Sequence, residues 1–319
     1  MAVFTPVSAA DLAAFLERYA IGSATSFKGI AEGVQNSNFL LETTAGRYIL
    51  TLYEERVETA SLPWFLALTT HLADKGLPVP RPITDRSGAA LQTLNGRPAA
   101  IIQFVAGVSV TDPDPAQAHA LGAALGRLHN AVADFTAVRA NNLGQAHWAA
   151  MTARCGGQLG GTDPALPGLV DAALAATADW PADLPRTTVH TDLFPDNVLM
   201  LGGKITGLID FYFACTDLRA FDYAVTHAAW CFSPDGRSHF ADRAAALAAG
   251  YATTNALLPG EIAALPRLCQ GAALRFTLTR AYDWINTPPG ALVTRKDPMA
   301  FARRMDWYAH ATPAMVFGA

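Results

Sequence analysis

One segment constrains this chain more than any other: His190-Thr-Asp192-Leu-Phe-Pro-Asp196-Asn197-Val-Leu-Met, followed by Gly207-Leu-Ile-Asp210-Phe211. The apolar stretches "NVLML" and "ITGLI" enclose Gly202-Gly203 and read as two strands of a hairpin. Asp192 and Asn197 stand at the two ends of one tight loop. Asp210 follows the second strand, which folds it back beside that loop. Three oxygen-bearing side chains can therefore converge through local chain geometry alone. Asp and Asn favour turns in any case, and that explanation suffices for Asp196. It does not explain polar residues recurring at these spacings against two apolar strands. A carboxylate to accept a hydroxyl proton, with oxygen ligands for a hard divalent cation, is what phosphoryl transfer to an alcohol needs.

The rest of the chain predicts a frame in two parts. Ser8 and Asp11 form a capping-box pattern before Leu12, Phe15, Leu16 and Tyr19, so a helix is expected over 8–20, stopped by Gly22. "SNFLLETT" (37–44) and "RYILTLYE" (47–54) predict a hairpin through Ala45-Gly46, and "AALQTL" and "RPAAIIQFV" a second through Asn95-Gly96. Between them a helix is expected over 57–75, ended by Gly76. Pro78, Pro80 and Pro82 then impose an extended path.

After Gly107 the character changes. Asp114-Pro115 opens a helix with Leu121, Leu125, Leu128 and Val132 on one stripe. The remainder reads as mostly helical, apart from a strand–loop–strand–turn–strand unit at 187–211. The expected class is α+β in two lobes. Residues 1–106 form a strand-rich nucleotide-binding lobe with an antiparallel sheet, and 107–319 a larger helical lobe with the catalytic loop and acceptor site.

Charge and cysteine usage narrow the partners. The net charge is −4 with no Lys/Arg run, which argues against nucleic acid. No uncharged apolar stretch approaches the ~18 residues of a membrane span, and the first residues lack the pattern of a secretory signal. Cys155, Cys215, Cys231 and Cys269 form no CxxC pair, so reduced thiols and a cytoplasmic location are expected rather than a zinc site.

The string HxDxxxxN, with a later Asp after an apolar strand, resembles the aminoglycoside phosphotransferase branch of the protein-kinase-like fold, matched here by His190, Asp192, Asn197 and Asp210. The resemblance implies ATP and Mg²⁺ as cofactors, Asp192 as catalytic base, and Asn197 and Asp210 as magnesium ligands. It implies that His190 braces the loop, and that Asp222, in "FACTDLRAFDYAV", starts a helix and ties it to that loop. Asp217 is expected to be the helix N-cap. In the first lobe Gly33 allows close approach to a phosphate, and Asn36, Ser37 and Asn38 offer donors. Gln103, Phe104 and Val105 in "IIQFVAG" lie where the connector would meet adenine. One departure stands out: Thr51 occupies the strand position where a kinase-like fold carries Lys. Lys28, Arg47 and Arg56 are candidates to replace it.

Longer strings, "GIAEGVQNSNFLLETTAGRYILTLYEERVE", "LPWFLALTTHLADKGLPVPRPI" and "LRFTLTRAYDW", are similar to members of this branch that phosphorylate the side-chain hydroxyl of L-homoserine. That implies ATP and a small hydroxylated amino acid as partners. Residues 232–319 carry an excess of three basic side chains, which suits an acceptor with a carboxylate better than a polycation. Arg275 and Arg280 lie in an otherwise apolar helix, where charges are costly unless paired. Either Arg280 pairs with Asp283 or Asp306, or one of the two grips the acceptor carboxylate, with Tyr282 on the same face. Alternatives are a choline, aminoglycoside or sugar-amine kinase, a non-catalytic nucleotide-binding protein supported only by Thr51, and a metal hydrolase using His190, Asp192 and His227. The last fits poorly, because neutral His suits zinc or iron better than magnesium.

Overall fold

The computed structural model of the chain describes residues 5–30, 36–54, 58–181, 183–287 and 295–318. Packing divides the chain into two units, Met1–Gly107 with Thr206–Ile209, and Val108–Ile205 with Asp210–Ala319.

The first unit opens with α1 (Ala9–Leu16). The Ser8 hydroxyl accepts from the Asp11 N–H while the Asp11 carboxylate accepts from the Ser8 N–H, both at 3.1 Å. The helix is shorter than its apolar spacing suggests. Tyr19 is buried from the turn that follows it, and Gly22 then takes φ +76°. Six strands follow: β1 (Ala24–Gly29), β2 (Asn36–Thr43), β3 (Gly46–Tyr53), β4 (Pro82–Ile83), β5 (Gln92–Leu94) and β6 (Arg97–Gln103). They form one antiparallel sheet in the order β1-β2-β3-β6-β4, with β5 on β6. Asn95 and Gly96 both take positive φ, +49° and +76°, as the tight turn between β5 and β6 requires. The helix α2 (Leu62–Asp74) lies between β3 and β4 in sequence. The core joins Leu12, Phe15 and Leu16 of α1 to Phe39, Leu41, Leu50, Leu52 and Ile101 of the sheet.

The second unit contains β7 (Val108–Ser109), α3 (Pro115–Ala131), α4 (Trp148–Arg154), α5 (Leu159–Thr162), α6 (Leu166–Ala176), β8 (Arg186–Val189) and β9 (Val198–Leu201). After β10 (Lys204–Leu208) come β11 (Cys215–Leu218), α7 (Arg219–Trp230), α8 (Ala241–Ala252), α9 (Pro259–Asn286), α10 (Met299–Ala309) and α11 (Pro313–Phe317). Asp114 caps α3 in a reciprocal pair with Gln117, and Leu121, Leu125, Leu128 and Val132 are all buried. Helices α3 and α8 approach through glycines. A Cβ on Gly122 would collide with the Leu247 carbonyl, and one on Gly250 with that of His119.

Two local expectations change. β10 leaves the second unit at Thr206, and the Leu208 N–H donates to the Pro78 carbonyl at 2.7 Å. The strand before the loop, β8, pairs with the short β11 and is separate from the β10-β9-β7 sheet. Asp217 lies within β11 and is not the N-cap of α7; Leu218 holds that position. The Asp217 carboxylate instead accepts from Asn141 Nδ2 at 2.6 Å, because the strand turns its side chain toward the 139–141 segment.

Candidate active site

The loop after β8 is held from beneath by a buried carboxylate. Asp222, in the first turn of α7, accepts the His190 N–H at 2.8 Å on Oδ2 and the Thr191 N–H at 2.7 Å on Oδ1. His129 Nε2, at the end of α3, lies 3.1 Å from Oδ2, and its Nδ1 lies 2.9 Å from the Tyr251 hydroxyl of α8. Burial alone would raise the Asp222 carboxyl. His129 and the loop N–H of His190 outweigh it and hold the group below the usual carboxylate range. The close α3–α8 packing thus fixes His129, His129 fixes Asp222, and Asp222 fixes the loop.

Thr191 sits at φ +59°, a costly conformation for a β-branched residue. Its hydroxyl donates to the Phe213 carbonyl at 3.0 Å, and its own carbonyl accepts from Arg275 Nη1 at 2.5 Å. His190 Nδ1 accepts the Asp192 N–H at 3.2 Å, so that nitrogen carries no proton, and Trp230 Nε1 donates to the Leu193 carbonyl at 2.9 Å. Phe194 packs edge-on against Phe276 of α9, 4.9 Å between ring centroids.

This scaffold presents Asp192. Asn197 Nδ2 donates to the Asp192 carbonyl at 2.7 Å and to Oδ2 at 3.1 Å, which leaves the Asn197 Oδ1 as an acceptor. Burial pushes the Asp192 carboxyl up to about 7, with Arg275 opposing and the charges of Asp210 and Asp196 adding to the rise. Asp210 is exposed in the left-handed region at φ 63°, ψ 62°. No group of three His, Cys, Asp or Glu that could hold a metal occurs among the described residues. Available oxygens on Asn197 and Asp210 suit an ion that keeps most of its ligands from phosphates and water, as magnesium does. The hydrolase arrangement does not form. His227 is fully buried in α7 with Nδ1 at 2.6 Å from the Tyr308 hydroxyl, and His190 Nδ1 faces the Asp192 backbone.

The acceptor-side candidates separate. Arg275 is only 2% exposed and braces Thr191, so it does not present its guanidinium to a ligand as the sequence allowed. Arg280 pairs with neither Asp283 nor Asp306. It lies 4.4 Å over the Phe301 ring and donates from Nη1 to the Asp297 carbonyl at 3.3 Å. Burial lowers it to about 10. Tyr282 lies under Arg154, 4.4 Å from ring centroid to guanidinium. Sequence reasoning missed His129 and Lys296. His129 follows the α3 leucine stripe but shows no partner in sequence. Lys296 Nζ lies 3.8 Å from Asp196 Oδ2 and 5.9 Å from the Phe194 ring, a proximity no local pattern signals.

In the first unit Gly33 lies outside the described residues, as does Arg56. Asn36, Ser37 and Asn38 open β2. Ser37 is fully buried, donating to Glu54 Oε1 at 2.6 Å, and Asn38 Oδ1 accepts from the Thr51 hydroxyl at 2.8 Å. These contacts bind the sheet and leave Ser37 no free donor. Gln103 N–H donates to the Arg81 carbonyl and Phe104 N–H to that of Arg47, whereas the Val105 N–H has no partner among the described residues.

Comparison with known proteins gives a consistent result. The sequence model of the phosphotransferase enzyme family matches residues 26–259. A homoserine kinase of Methylobacterium radiotolerans is 54% identical, over 100% of this chain and 99% of that one. A homoserine kinase of Acidiphilium cryptum is 52% identical over the whole of both chains. Among solved structures, a spectinomycin phosphotransferase bound to ADP and spectinomycin superposes with a TM-score of 0.71 at 13% identity, covering 96% of this chain and 99% of that one. An amicoumacin kinase in complex with AMP-PNP and Ca²⁺ gives 0.70 at 15% identity, covering 94% and 92%. At such identities these two speak for the fold.

Proposed function

The chain belongs to the phosphotransferase enzyme family, in its homoserine kinase branch, and on that premise we propose that it transfers the γ-phosphoryl group of ATP to the side-chain hydroxyl of L-homoserine, with Asp192 as base. The observation that carries the chemistry is Asp192 itself. It is a partly buried carboxylate, oriented by Asn197 and pushed up to about 7, which suits a group that must accept a proton near neutrality.

The acceptor hydroxyl donates its hydrogen bond to Asp192. As the new O–P bond forms, the bond from Pγ to the bridging oxygen breaks, ADP leaves with that electron pair, and the proton passes to Asp192. Asn197 Oδ1 and Asp210 would hold Mg²⁺, which supplies charge neutralisation on the phosphates. His190 and Asp222 position the loop and touch neither substrate. Among the first-unit candidates, the Val105 N–H is available to adenine.

Arg280 is the residue for the acceptor carboxylate. Of its five donors only Nη1 has a partner among the described residues, and at 3.3 Å. A planar guanidinium so placed matches a carboxylate in bidentate fashion. The test is an acceptor panel with purified protein and ATP·Mg²⁺. Phosphorylated homoserine is expected; product from choline or kanamycin and none from homoserine overturns the assignment.

A further inference from the structure

Position 51 holds Thr, and its hydroxyl is committed to Asn38 inside the sheet, so this position offers no cation to the phosphates. Yet the loop gathers Asp192, Asp196 and Asp210, whose charges act on one another. A transferring phosphoryl group brings more negative charge to this place. Something besides the metal must offset it.

Three side chains of the second unit carry positive charge toward these carboxylates from outside the loop: Arg275, which is buried and already committed to the Thr191 carbonyl, Arg280 and Lys296. Arg280 acts on Asp196 and Asp192 and already donates to the Asp297 carbonyl. Lys296, just before α10, acts on both Asp192 and Asp210. Its Nζ lies 3.8 Å from Asp196 Oδ2 and above the Phe194 ring, two residues beyond the base. The Lys296–Asp196 pair is loose and exposed, at 63% and 64%, so solvent screens it and little holds the ammonium in place. An ammonium on a four-carbon stem, tethered weakly beside the base and addressing both it and Asp210, is free to move onto an incoming anion.

We infer that Lys296 contacts the phosphoryl group as it passes from ATP to the acceptor, supplying a cation where position 51 has none. This rests on the kinase reading above. In the transfer the acceptor oxygen bonds to Pγ, ADP departs with the electrons of the broken bond, and Asp192 takes the hydroxyl proton. Lys296 forms no bond to phosphorus and contributes only charge and hydrogen bonds.

The experiment compares Lys296→Met and Lys296→Arg with the unaltered protein, full chain, in Mg²⁺. Steady-state kinetics give kcat and KM for homoserine and ATP. Calorimetry gives the affinity for ADP alone and for ADP with aluminium fluoride and homoserine, which mimics the phosphoryl group in flight. Lys296→Met is expected to lower kcat about 100-fold, with the homoserine KM within about 3-fold. It is expected to weaken the aluminium fluoride complex by a similar factor, to leave ADP binding nearly unchanged, and to leave Tm unchanged because the side chain is exposed. Lys296→Arg is expected to recover most of the loss. A kcat within about 3-fold of the unaltered protein overturns the inference, and so does a rise confined to the homoserine KM, which would assign the ammonium to the acceptor carboxylate. If the unaltered protein phosphorylates no homoserine, the failure belongs to the kinase reading instead.

Discussion

Arg275 Nη1 donates a 2.5 Å hydrogen bond to the carbonyl oxygen of Thr191, the residue before the base, which is itself held at φ +59°. A buried guanidinium therefore fixes a strained residue next to Asp192 through its carbonyl, while Asp222 holds its N–H. Replacing Arg275 by Met keeps much of the volume and removes the bond. The expected result is a kcat lowered about 10- to 100-fold through misplacement of the base, with the homoserine KM within about 3-fold. A selective rise in KM would show that Arg275 serves the acceptor after all.

Arg280 should show the reverse pattern. Its donors are under-used and its charge reaches Asp192, so Arg280→Ala is expected to raise the homoserine KM about 30- to 100-fold. The ATP KM should stay within about 3-fold. Steady-state kinetics with each substrate varied in turn decides this.

Stability should depend on pH through Asp192. Its carboxyl is raised to about 7 in the fold, well above its value in the unfolded chain. The protonated form is thus the favoured one when folded. Its stabilising contribution is complete below the unfolded value and is lost as pH rises through about 7. In the metal-free protein, Asp192→Asn should then raise Tm at pH 8, corresponding to about 1–3 kcal/mol, and change it little at pH 4. Thermal melts in EDTA at both pH values check this; equal melting at pH 8 would contradict it.

Gly122 sits where α3 meets the α8 backbone, and a methyl group there has no room. Gly122→Ala should cost about 1–3 kcal/mol of stability by forcing the helices apart. It should also lower kcat, because α3 carries His129 to Asp222. Denaturant melts and kinetics on one preparation test both parts.

Much of this was legible in the sequence, for reasons specific to each element. The Ser8–Asp11 capping pair, the Asp114-Pro115 helix start and the Asn95-Gly96 turn are local devices whose chemistry acts within four residues. The placement of Asp192 and Asn197 at the ends of one loop is equally local. What sequence could not show is long-range. β11 is four residues with two polar side chains, so its pairing with β8 carries no periodic signal. Lys296 meets Asp196 across a separation of a hundred residues. Arg275 and Arg280 share one helix and one composition, and only burial separates a brace from an available cation.

The central claim is that Asp192 accepts the acceptor proton while other groups hold the nucleotide. The most direct measurement takes kcat and the ADP dissociation constant side by side for the unaltered protein and Asp192→Asn in Mg²⁺. The account predicts a kcat lower by at least about 1,000-fold with nucleotide affinity within several-fold. An Asp192→Asn enzyme that keeps most of its turnover would contradict it.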